Sequence, residues 1–213
     1  MPYLNKTAPS PEPLDCRVLS AALDLFVERG FHNVSVHDVQ RASQVSIGSI
    51  YKHFGGKEGI AKALYYHLLN EFEEMMNQVV AEDLSSRERC NRIIALLFEY
   101  TESRPNIIEY MLHAKHREFL PDEPPICSST PFKVMRHIVQ QGMDAGEIRP
   151  GNPWVVASSV FGGAVRLIHL RLDGVMKQPL PECYDELIDC MWQGVGTGET
   201  VKRTGPQAVE VAG

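Results

Sequence analysis

The stretch that decides the fold is residues 35–57, which read SVHDVQRASQVSIGSIYKHFGGK. Ser35 and Ser46 each stand directly before a short run with helical spacing of its apolar residues. Serine is a preferred helix N-cap, because its hydroxyl accepts a hydrogen bond from a backbone N–H of the first turn. The stretch therefore predicts two short helices, Val36 to about Ser43 and Ile47 to Phe54, joined by a tight turn of about four residues.

A longer amphipathic helix is predicted upstream of this pair, over residues 14–29. Its apolar residues recur at helical spacing, at Val18, Ala22, Leu25 and Phe26. Gly30 suits the end of this helix, because glycine readily adopts the left-handed conformation that terminates helices. Three helices in this order, with a tight turn between the last two, are the layout of a helix-turn-helix.

The rest of the chain is also helical in its spacing. Apolar residues recur every three or four positions, and no alternating strand pattern competes with them. Prolines fall between the runs, where they do not interrupt a helix interior. The runs lie within residues 57–81, 93–97, 107–112, 132–143, 154–175 and 183–195. We predict an all-α protein, in which an N-terminal three-helix helix-turn-helix domain is followed by a C-terminal helical bundle.

The composition limits the classes of protein that the chain can belong to. A chain of 213 residues with 44% hydrophobic and 23% charged residues is typical of a folded globular protein. Its net charge of −6 disfavours nucleic-acid binding over the whole surface, so any DNA contact must be local. The five cysteines form no CxxC pair, and reduced thiols are expected.

Neither a membrane span nor a secretory signal is predicted. The longest weakly polar run, residues 154–165, is shorter than the roughly 20 residues that a spanning helix needs. The N-terminal sequence MPYLNKTAPSPEP is rich in proline and lacks the apolar core of a signal peptide. We therefore expect a cytoplasmic protein with no membrane partner.

The predicted helix-turn-helix has a basic outer face, although the whole chain is acidic. The charged residues of residues 35–57 are Asp38, Arg41, Lys52 and Lys57. Helical spacing turns Ile50 and Phe54 toward the core and leaves the residues between them outside. The local sign of the charge suits the phosphates of DNA.

Residues 22–60, ALDLFVERGFHNVSVHDVQRASQVSIGSIYKHFGGKEGI, resemble the N-terminal DNA-binding domain of the TetR family of bacterial transcriptional regulators. The resemblance rests on an Ala-x-x-Leu-Phe first helix, a serine cap before the second helix, and the segment VSIGSIYKHF followed by Lys57. It implies a homodimer whose two third helices enter successive major grooves of a double-stranded DNA operator. It also implies a C-terminal helical domain that binds a small-molecule effector and forms the dimer.

On this basis the chain divides into four parts. They are a flexible arm (1–13), a helix-turn-helix DNA-binding domain (14–60), an effector-binding and dimerisation domain (61–196) and a flexible tail (197–213). A long helix from Lys57 to about Ala81 is expected to link the two domains. We predict a ligand-responsive repressor that an apolar or aromatic effector releases from a palindromic operator, and not an enzyme.

The resemblance assigns two kinds of DNA contact to individual residues. Ser35, Tyr51 and Lys57 are the expected phosphate contacts, which position the protein without reading sequence. The residues expected to face the bases are Ser46, Ile47, Gly48, Ser49, Lys52 and His53. Gln44 departs from the family, which often has glycine in this turn, so Gln44 is either strained or itself reaches DNA. The alternatives are that Tyr51 packs against the core and that His53 is a plain surface histidine.

Three methionines, three phenylalanines and one valine of the C-terminal part are candidates for an effector cavity or, equally, for the core. They are Met75, Phe98, Met111, Phe132, Met135, Val139 and Phe161. Methionine adapts to varied apolar ligands, so such a cavity would favour an apolar or aromatic effector. Arg166 and His169 interrupt an apolar stripe, where they would anchor a polar group of the effector or make a contact between subunits.

The last two predicted helices, residues 154–175 and 183–195, form the predicted dimer interface. Small residues let another helix approach closely, as a four-helix interface needs. They are Ala157, Ser158, Gly162 and Gly163.

Glu109, His113 and His116 share one helical face by their spacing, which would suit a metal ion. Neither a CxxC nor an HExxH motif supports this site, and the alternative is a solvated face. We therefore predict neither a metal nor a cofactor. Two other functions stay open, namely a small helical enzyme that uses His113 or His116, and a helical interaction protein whose helix-turn-helix no longer binds DNA.

Overall fold

The computed structural model describes residues 14–114 and 116–197, and this part of the chain is all-α, as predicted. The predicted arm and residues 198–213 of the predicted tail lie outside the described residues. The helices are α1 (Leu14–Arg29), α2 (Val36–Ser43), α3 (Ile47–Phe54), α4 (Lys57–Ala81), α5 (Ser86–Ser103), α6 (Pro105–His113), α7 (His116–Phe119), α8 (Thr130–Asp144), α9 (Pro153–Leu172) and α10 (Tyr184–Val195). Short 3-10 turns lie at Phe31–Asn33, Ile126–Ser128 and Leu180–Cys183.

The bounds of the first four helices agree with the sequence-based predictions. The turn between α2 and α3 contains three residues, 44–46, which is one fewer than predicted. Further along the chain, α9 ends at Leu172 and not at residue 175. Gly174 explains this difference, because its φ of 69° lies in the left-handed region that terminates helices. α10 begins at Tyr184, one residue later than predicted, because a 3-10 turn precedes it.

Two hydrophobic cores fill the structure. The N-terminal core lies between α1, α2, α3, the first half of α4 and α6, and its buried residues include Ile50 and Leu64. The second core lies between the second half of α4 and helices α5, α8, α9 and α10, and its buried residues include Phe98 and Ile168.

α4 belongs to both cores. Residues 60–69 pack in the N-terminal core, whereas Met76 and Val79 pack in the second core. With 25 residues the helix is about 37 Å long. The division into domains at residue 60 falls near the beginning of this helix, and it stays a prediction.

α6 is the second element that joins the cores. Tyr110 is buried in the N-terminal core, whereas Ile108 is buried in the second core. The Asn106 side chain donates a hydrogen bond to the Asp24 carboxylate of α1 at 2.7 Å. The Tyr110 hydroxyl donates to the backbone carbonyl of Ala61 at 3.2 Å. The helix-turn-helix unit is therefore packed against α6 as well as against α4.

A bidentate ion pair holds the end of α9 to α5. Arg171 donates from Nε and Nη2 to the two carboxylate oxygens of Glu102, at 2.8 and 2.9 Å. The backbone N–H of Leu180 donates to the same carboxylate at 2.9 Å. The hydrogen bonds from Arg171, followed by that from Leu180, hold the pKa of Glu102 below its usual range. The pair thereby fixes the loop that leads into α10.

The expectation that no helix is long and apolar enough to span a membrane is wrong for α9, by its length and composition alone. It has 20 residues, and its most apolar stretch of 18 residues has a mean hydropathy of 1.4. The sequence-based prediction counted the apolar run only as far as Val165, before the first charged residue. The helix continues past this point and stays apolar on average, although it includes Arg166 and Arg171. α9 packs one face against α5, α8 and α10, and 28% of that stretch is buried.

Candidate nucleic-acid interface and apolar cavity

α2 begins with a capping box between Ser35 and Asp38. The backbone N–H of Asp38 donates to Ser35 Oγ at 3.2 Å, and the backbone N–H of Ser35 donates to the Asp38 carboxylate at 2.9 Å. Hydrogen bonds from the Ser35 hydroxyl and backbone, with a smaller effect of Arg41, lower the pKa of Asp38 to about 2. Ser35 is exposed, and its hydroxyl already caps a helix, so this predicted phosphate contact also has a structural role.

α3 begins with a serine cap of its own. The backbone N–H of Ser49 donates to Ser46 Oγ at 3.2 Å. Ile50 is fully buried and Phe54 is half-buried in the N-terminal core, as predicted. The residues that α3 exposes are Gly48, Tyr51, Lys52 and His53, whereas Ile47 and Ser49 are half-buried. The structure thus brings the predicted base-facing residues together on one short helix.

Gly48 leaves the backbone of α3 open near the beginning of the helix. A Cβ atom built on Gly48 would have no neighbour within 4 Å. Packing among the described residues therefore does not require glycine at this position.

Gln44 adopts the left-handed conformation in the turn between α2 and α3. Its φ of 55° and ψ of 32° make it the one non-glycine residue with positive φ in the part of the chain that the structure describes. Arg17 of α1 holds this turn, because its Nη2 atom donates to the carbonyl oxygens of Ser43 and Gln44, at 2.6 and 3.0 Å. No local pattern in the sequence indicates this contact of Arg17, because its partners lie 26 and 27 residues away.

We expect Gln44→Gly to raise the free energy of unfolding by about 1 kcal/mol, because glycine adopts this backbone conformation without strain at Cβ. For a chain of this size the rise corresponds to about 2–4 °C in Tm. Thermal unfolding followed by circular dichroism measures it. Gln40→Gly, in the interior of α2, is the matched control and should lower Tm. A Tm that stays unchanged or falls for Gln44→Gly would show that the turn is not strained.

The basic side chains of the predicted DNA-binding face differ in whether they already have a partner within the chain. Arg41 forms an ion pair with Asp38. Lys57 Nζ donates to the backbone carbonyl of Phe31 at 2.9 Å and lies 4.3 Å from the centroid of its ring. Lys52 is exposed and makes no hydrogen bond or ion pair with any described residue.

Lys57 already has partners within the chain, and its predicted phosphate contact stays a prediction. Its ammonium group already binds a carbonyl oxygen and an aromatic face inside the chain. Moving it to a phosphate would break both of these interactions. Of the three lysine and arginine side chains between residues 35 and 57, Lys52 is the one that has no hydrogen bond or ion pair with a described residue.

A narrow apolar cavity lies between α4, α5, α6, α8 and α9. Its volume is about 40 Å³, and its lining is wholly apolar. Met111, Phe132 and Met135, which the sequence predicts as effector contacts, line it together with Phe72 and Leu112.

Four other predicted effector contacts do not line this cavity. Phe98, Val139 and Phe161 are buried in the second core, and Met75 is half-buried against it. Helical spacing identifies the inward face of a helix, but it does not reveal which inward residues border a void. For these four residues the structure favours the alternative role, which is packing in or against the second core.

Arg166 and His169 do not anchor a ligand in the cavity either. Arg166 is exposed on the outer face of α9, away from the second core. His169 stacks on His113 of α6, with ring centroids 4.5 Å apart and planes within 3° of parallel. The apolar lining offers an effector no polar partner at this site.

Glu109, His113 and His116 do not share a helical face, which corrects the spacing argument for a metal site. α6 ends at His113, and the extended backbone of Ala114 turns the chain before α7 begins. Glu109 Oε1 lies 3.0 Å from His113 Nδ1, so these two residues form a local pair. Among the described residues, no group of three or more histidine, cysteine or acidic side chains is placed to hold a metal ion.

His116, the first residue of α7, instead packs among aromatic side chains of α4, α6 and α7. Its ring centroid lies 5.0 Å from those of Tyr65 and Tyr110 and 5.7 Å from that of Phe119. Its Nε2 atom is buried and has no hydrogen-bond partner among the described residues. Burial lowers the pKa of His116 to about 4, so the imidazole is neutral at pH 7.

The domain model of the tetR family of bacterial regulatory proteins matches residues 18–64 of the chain. The matched segment contains all of α2 and α3, their turn and the beginning of α4. It therefore contains every residue that the sequence predicts to contact DNA.

Longer similarities link the chain to known transcriptional regulators. The chain is 22% identical to the fatty acid metabolism regulator protein of Bacillus subtilis over 156 residues, which are 72% of this chain and 80% of that protein. It is 31% identical to the transcriptional repressor Rv3405c of Mycobacterium tuberculosis over 86 residues, or 39% of this chain and 46% of that protein. The fold is that of FadR from Bacillus subtilis in complex with stearoyl-CoA, with a TM-score of 0.71 and 20% identity over 84% of this chain and 97% of FadR.

Proposed function

The chain belongs to the TetR family of bacterial regulatory proteins, which are transcriptional regulators and not enzymes, and we propose that it is a homodimeric repressor. It would occupy a palindromic DNA operator in the bacterial cytoplasm and leave the operator when a small apolar effector binds. The observation that carries the proposal is α3, a serine-capped helix that exposes Lys52 with no partner among the described residues, on a chain whose net charge is −6.

The exposed side of α3 supports contacts to both phosphates and bases. The serine-capped N-terminus of the helix provides N–H groups that suit a phosphate. Lys52 can donate to guanine, and Ile47 can contact a thymine methyl group in the major groove. Tyr51 is 51% exposed on the same helix and would contact the sugar-phosphate backbone. Ser35, Gln44, Ser46, Gly48, Ser49 and His53 complete the proposed surface.

The cavity supports an effector with a long apolar part. Its wholly apolar lining would accept a hydrocarbon but leave a buried polar group without a hydrogen bond. The structural relative FadR binds stearoyl-CoA, so we propose an acylated effector whose chain enters this cavity. Each methylene group buried there would contribute about 0.8 kcal/mol to binding. At about 40 Å³ the cavity is smaller than such a chain, so binding must move the helices around it.

Movement of these helices provides a route to the DNA-binding surface. The cavity is lined by residues of α4 and α6, and both helices also pack in the N-terminal core. Two recognition helices must stay about 34 Å apart to enter successive major grooves. An effector that favours a different separation would shift the population of dimers away from the state that binds the operator.

We expect Lys52→Ala to weaken operator binding about tenfold or more, because Lys52 is the available cation of α3. The slope of log Kd against log salt concentration should also fall by about 1 for each phosphate that the variant no longer neutralises. Fluorescence anisotropy on an operator selected by the protein from random-sequence DNA measures both quantities.

Lys57→Ala is the matched control for this measurement. Because Lys57 binds Phe31, its removal should lower Tm and leave operator affinity within about threefold of the wild type. If the two substitutions weakened operator binding equally, Lys57 would contribute to DNA binding as much as Lys52, and the distinction between the two lysines would be wrong. If the selection enriched no DNA at all, the proposed function itself would be overturned.

A further inference from the structure

Arg17 lies on α1, and its side chain reaches the turn between α2 and α3. Its Nη2 atom donates to the backbone carbonyls of both Ser43 and Gln44. Ser43 is the last residue of α2, so its carbonyl is one of those that have no partner within the helix. A positive charge is also favourable at this end of a helix, because the helix dipole is negative there. Arg17 therefore provides the end of α2 with a hydrogen-bond donor from another helix.

The two carbonyls that Arg17 binds lie on either side of the strained residue of the turn. Gln44 is in the left-handed conformation, which places its Cβ atom too close to the following carbonyl oxygen. The carbonyl of Ser43 belongs to the peptide plane before the Cα atom of Gln44, and the carbonyl of Gln44 belongs to the plane after it. One nitrogen atom that binds both carbonyls therefore restrains φ and ψ of Gln44 together.

The direction of α3 depends on these two backbone angles. The turn contains only residues 44–46, and α3 begins directly after it. Val45 is buried in the N-terminal core and Ser46 caps α3, so both are held by their own contacts. The side chain of Gln44 is exposed and makes no hydrogen bond with a described residue. A change of conformation at residue 44 would therefore rotate α3 relative to α1 and α2, and only Arg17 opposes it from outside the turn.

We propose that Arg17 is a positioning residue for DNA binding, which holds Gln44 in the left-handed conformation and thereby orients the exposed side of α3 for the major groove. The inference rests on the proposed DNA binding and adds a residue of α1 that acts through the turn. Glycine at position 44 would need no such support, because it adopts positive φ without crowding at Cβ. The effect of Arg17 on operator affinity should therefore depend on which residue occupies position 44.

The alternative role of Arg17 is a direct contact to a DNA phosphate, and it has a different experimental signature. Arg17 is half-buried, and its Nε and Nη1 atoms make no hydrogen bond with a described residue. A side chain that neutralises a phosphate contributes to the slope of log Kd against log salt concentration. A side chain that positions α3 contributes to the affinity for the selected operator and leaves this slope unchanged.

A double-mutant cycle on the full-length protein tests the proposal. We expect Arg17→Met to weaken binding of the selected operator at least about tenfold, because only the fraction of molecules that keep the left-handed turn would bind it well. In a chain that already carries Gln44→Gly, the same substitution should weaken binding less than about threefold. The slope with salt should be equal in all four proteins. Fluorescence anisotropy measures affinity and slope, and circular dichroism should show that every variant is folded at the assay temperature.

Arg29→Met is the matched control, because it removes an exposed arginine from the same helix, and its operator affinity should stay within about threefold of the wild type. Equal losses of affinity for Arg17→Met in the two backgrounds would overturn the positioning role and leave DNA binding standing. A slope that falls by about 1 would show a phosphate contact instead.

Backbone NMR chemical shifts of Gln44 in the free protein test the same role without DNA. They should indicate positive φ in the wild type and move away from these values in Arg17→Met. Shifts that do not differ between the two proteins would show that Arg17 does not hold the turn. If the wild type enriched no DNA in the selection, the proposed function would be overturned, and the NMR shifts would still decide whether Arg17 holds the turn.

Discussion

The Gly48→Leu variant is expected to bind operator DNA at least about 100-fold more weakly than the wild type, since loss of fit in the groove leaves mainly non-specific binding. The free variant should nevertheless be more stable by about 0.5–1 kcal/mol, because leucine is a better helix former than glycine. No atom of the described chain lies within 4 Å of a Cβ at this position, so the substitution meets no clash in the free protein. Because operator affinity should fall while stability rises, damage to the fold cannot account for the loss of DNA binding.

Anisotropy titrations with the selected operator and thermal unfolding measure the two effects of Gly48→Leu. Ala81→Leu is the matched control, because it adds an exposed leucine at the far end of α4. It should leave operator affinity unchanged. Wild-type affinity for Gly48→Leu would mean that the beginning of α3 does not approach the floor of the groove.

Lowering the pH from 7 to 5 is expected to reduce the free energy of unfolding by up to about 2 kcal/mol through His116 alone. Its pKa is about 4 in the folded chain and about 6.5 when unfolded, so the unfolded chain binds the additional proton in this range. The stability is therefore fully present above about pH 6.5 and is lost as the pH falls toward 4. Water that reaches part of the ring would reduce the size of the effect.

His116→Phe should remove most of this pH dependence, because phenylalanine keeps the aromatic contacts to Tyr65 and Tyr110 and does not titrate. Urea unfolding at pH 7 and pH 5 gives the difference for each protein. His137→Phe, at an exposed position of α8, is the control and should behave as the wild type does. An equal loss of stability in His116→Phe and wild type would show that another group is responsible.

Local signals explain why the first four helices could be predicted to the residue. Ser35 and Ser46 cap their helices through hydrogen bonds to residues three positions away, and Gly30 ends α1 with a φ of 76°. Such contacts depend on neighbours in the sequence, so the sequence indicates them directly. The same holds for the burial of Ile50, which follows from its position on a helix of known beginning.

The remaining site residues depend on contacts between distant parts of the chain. Lys57 donates to the carbonyl oxygen of Phe31, 26 residues away, and no local pattern in the sequence indicates this contact. His116 was placed on the face of Glu109 and His113, but a helix end at His113 turns it into the N-terminal core. In the cavity, Met111 borders the void whereas the equally apolar Phe98 does not. Spacing along one helix carries no information about these arrangements.

The packing of α6 into the N-terminal core restricts how this regulator can be recombined with others. A chimaera joined at residue 60 would keep α1, α2 and α3 but lack Tyr110, whose ring is buried in their core. It would also lack Asn106, the partner of Asp24. A foreign effector domain must therefore supply a helix with the same apolar surface at this place. The helix-turn-helix unit can therefore be transplanted either with α6, which begins more than forty residues beyond the junction, or onto a domain that offers an equivalent helix.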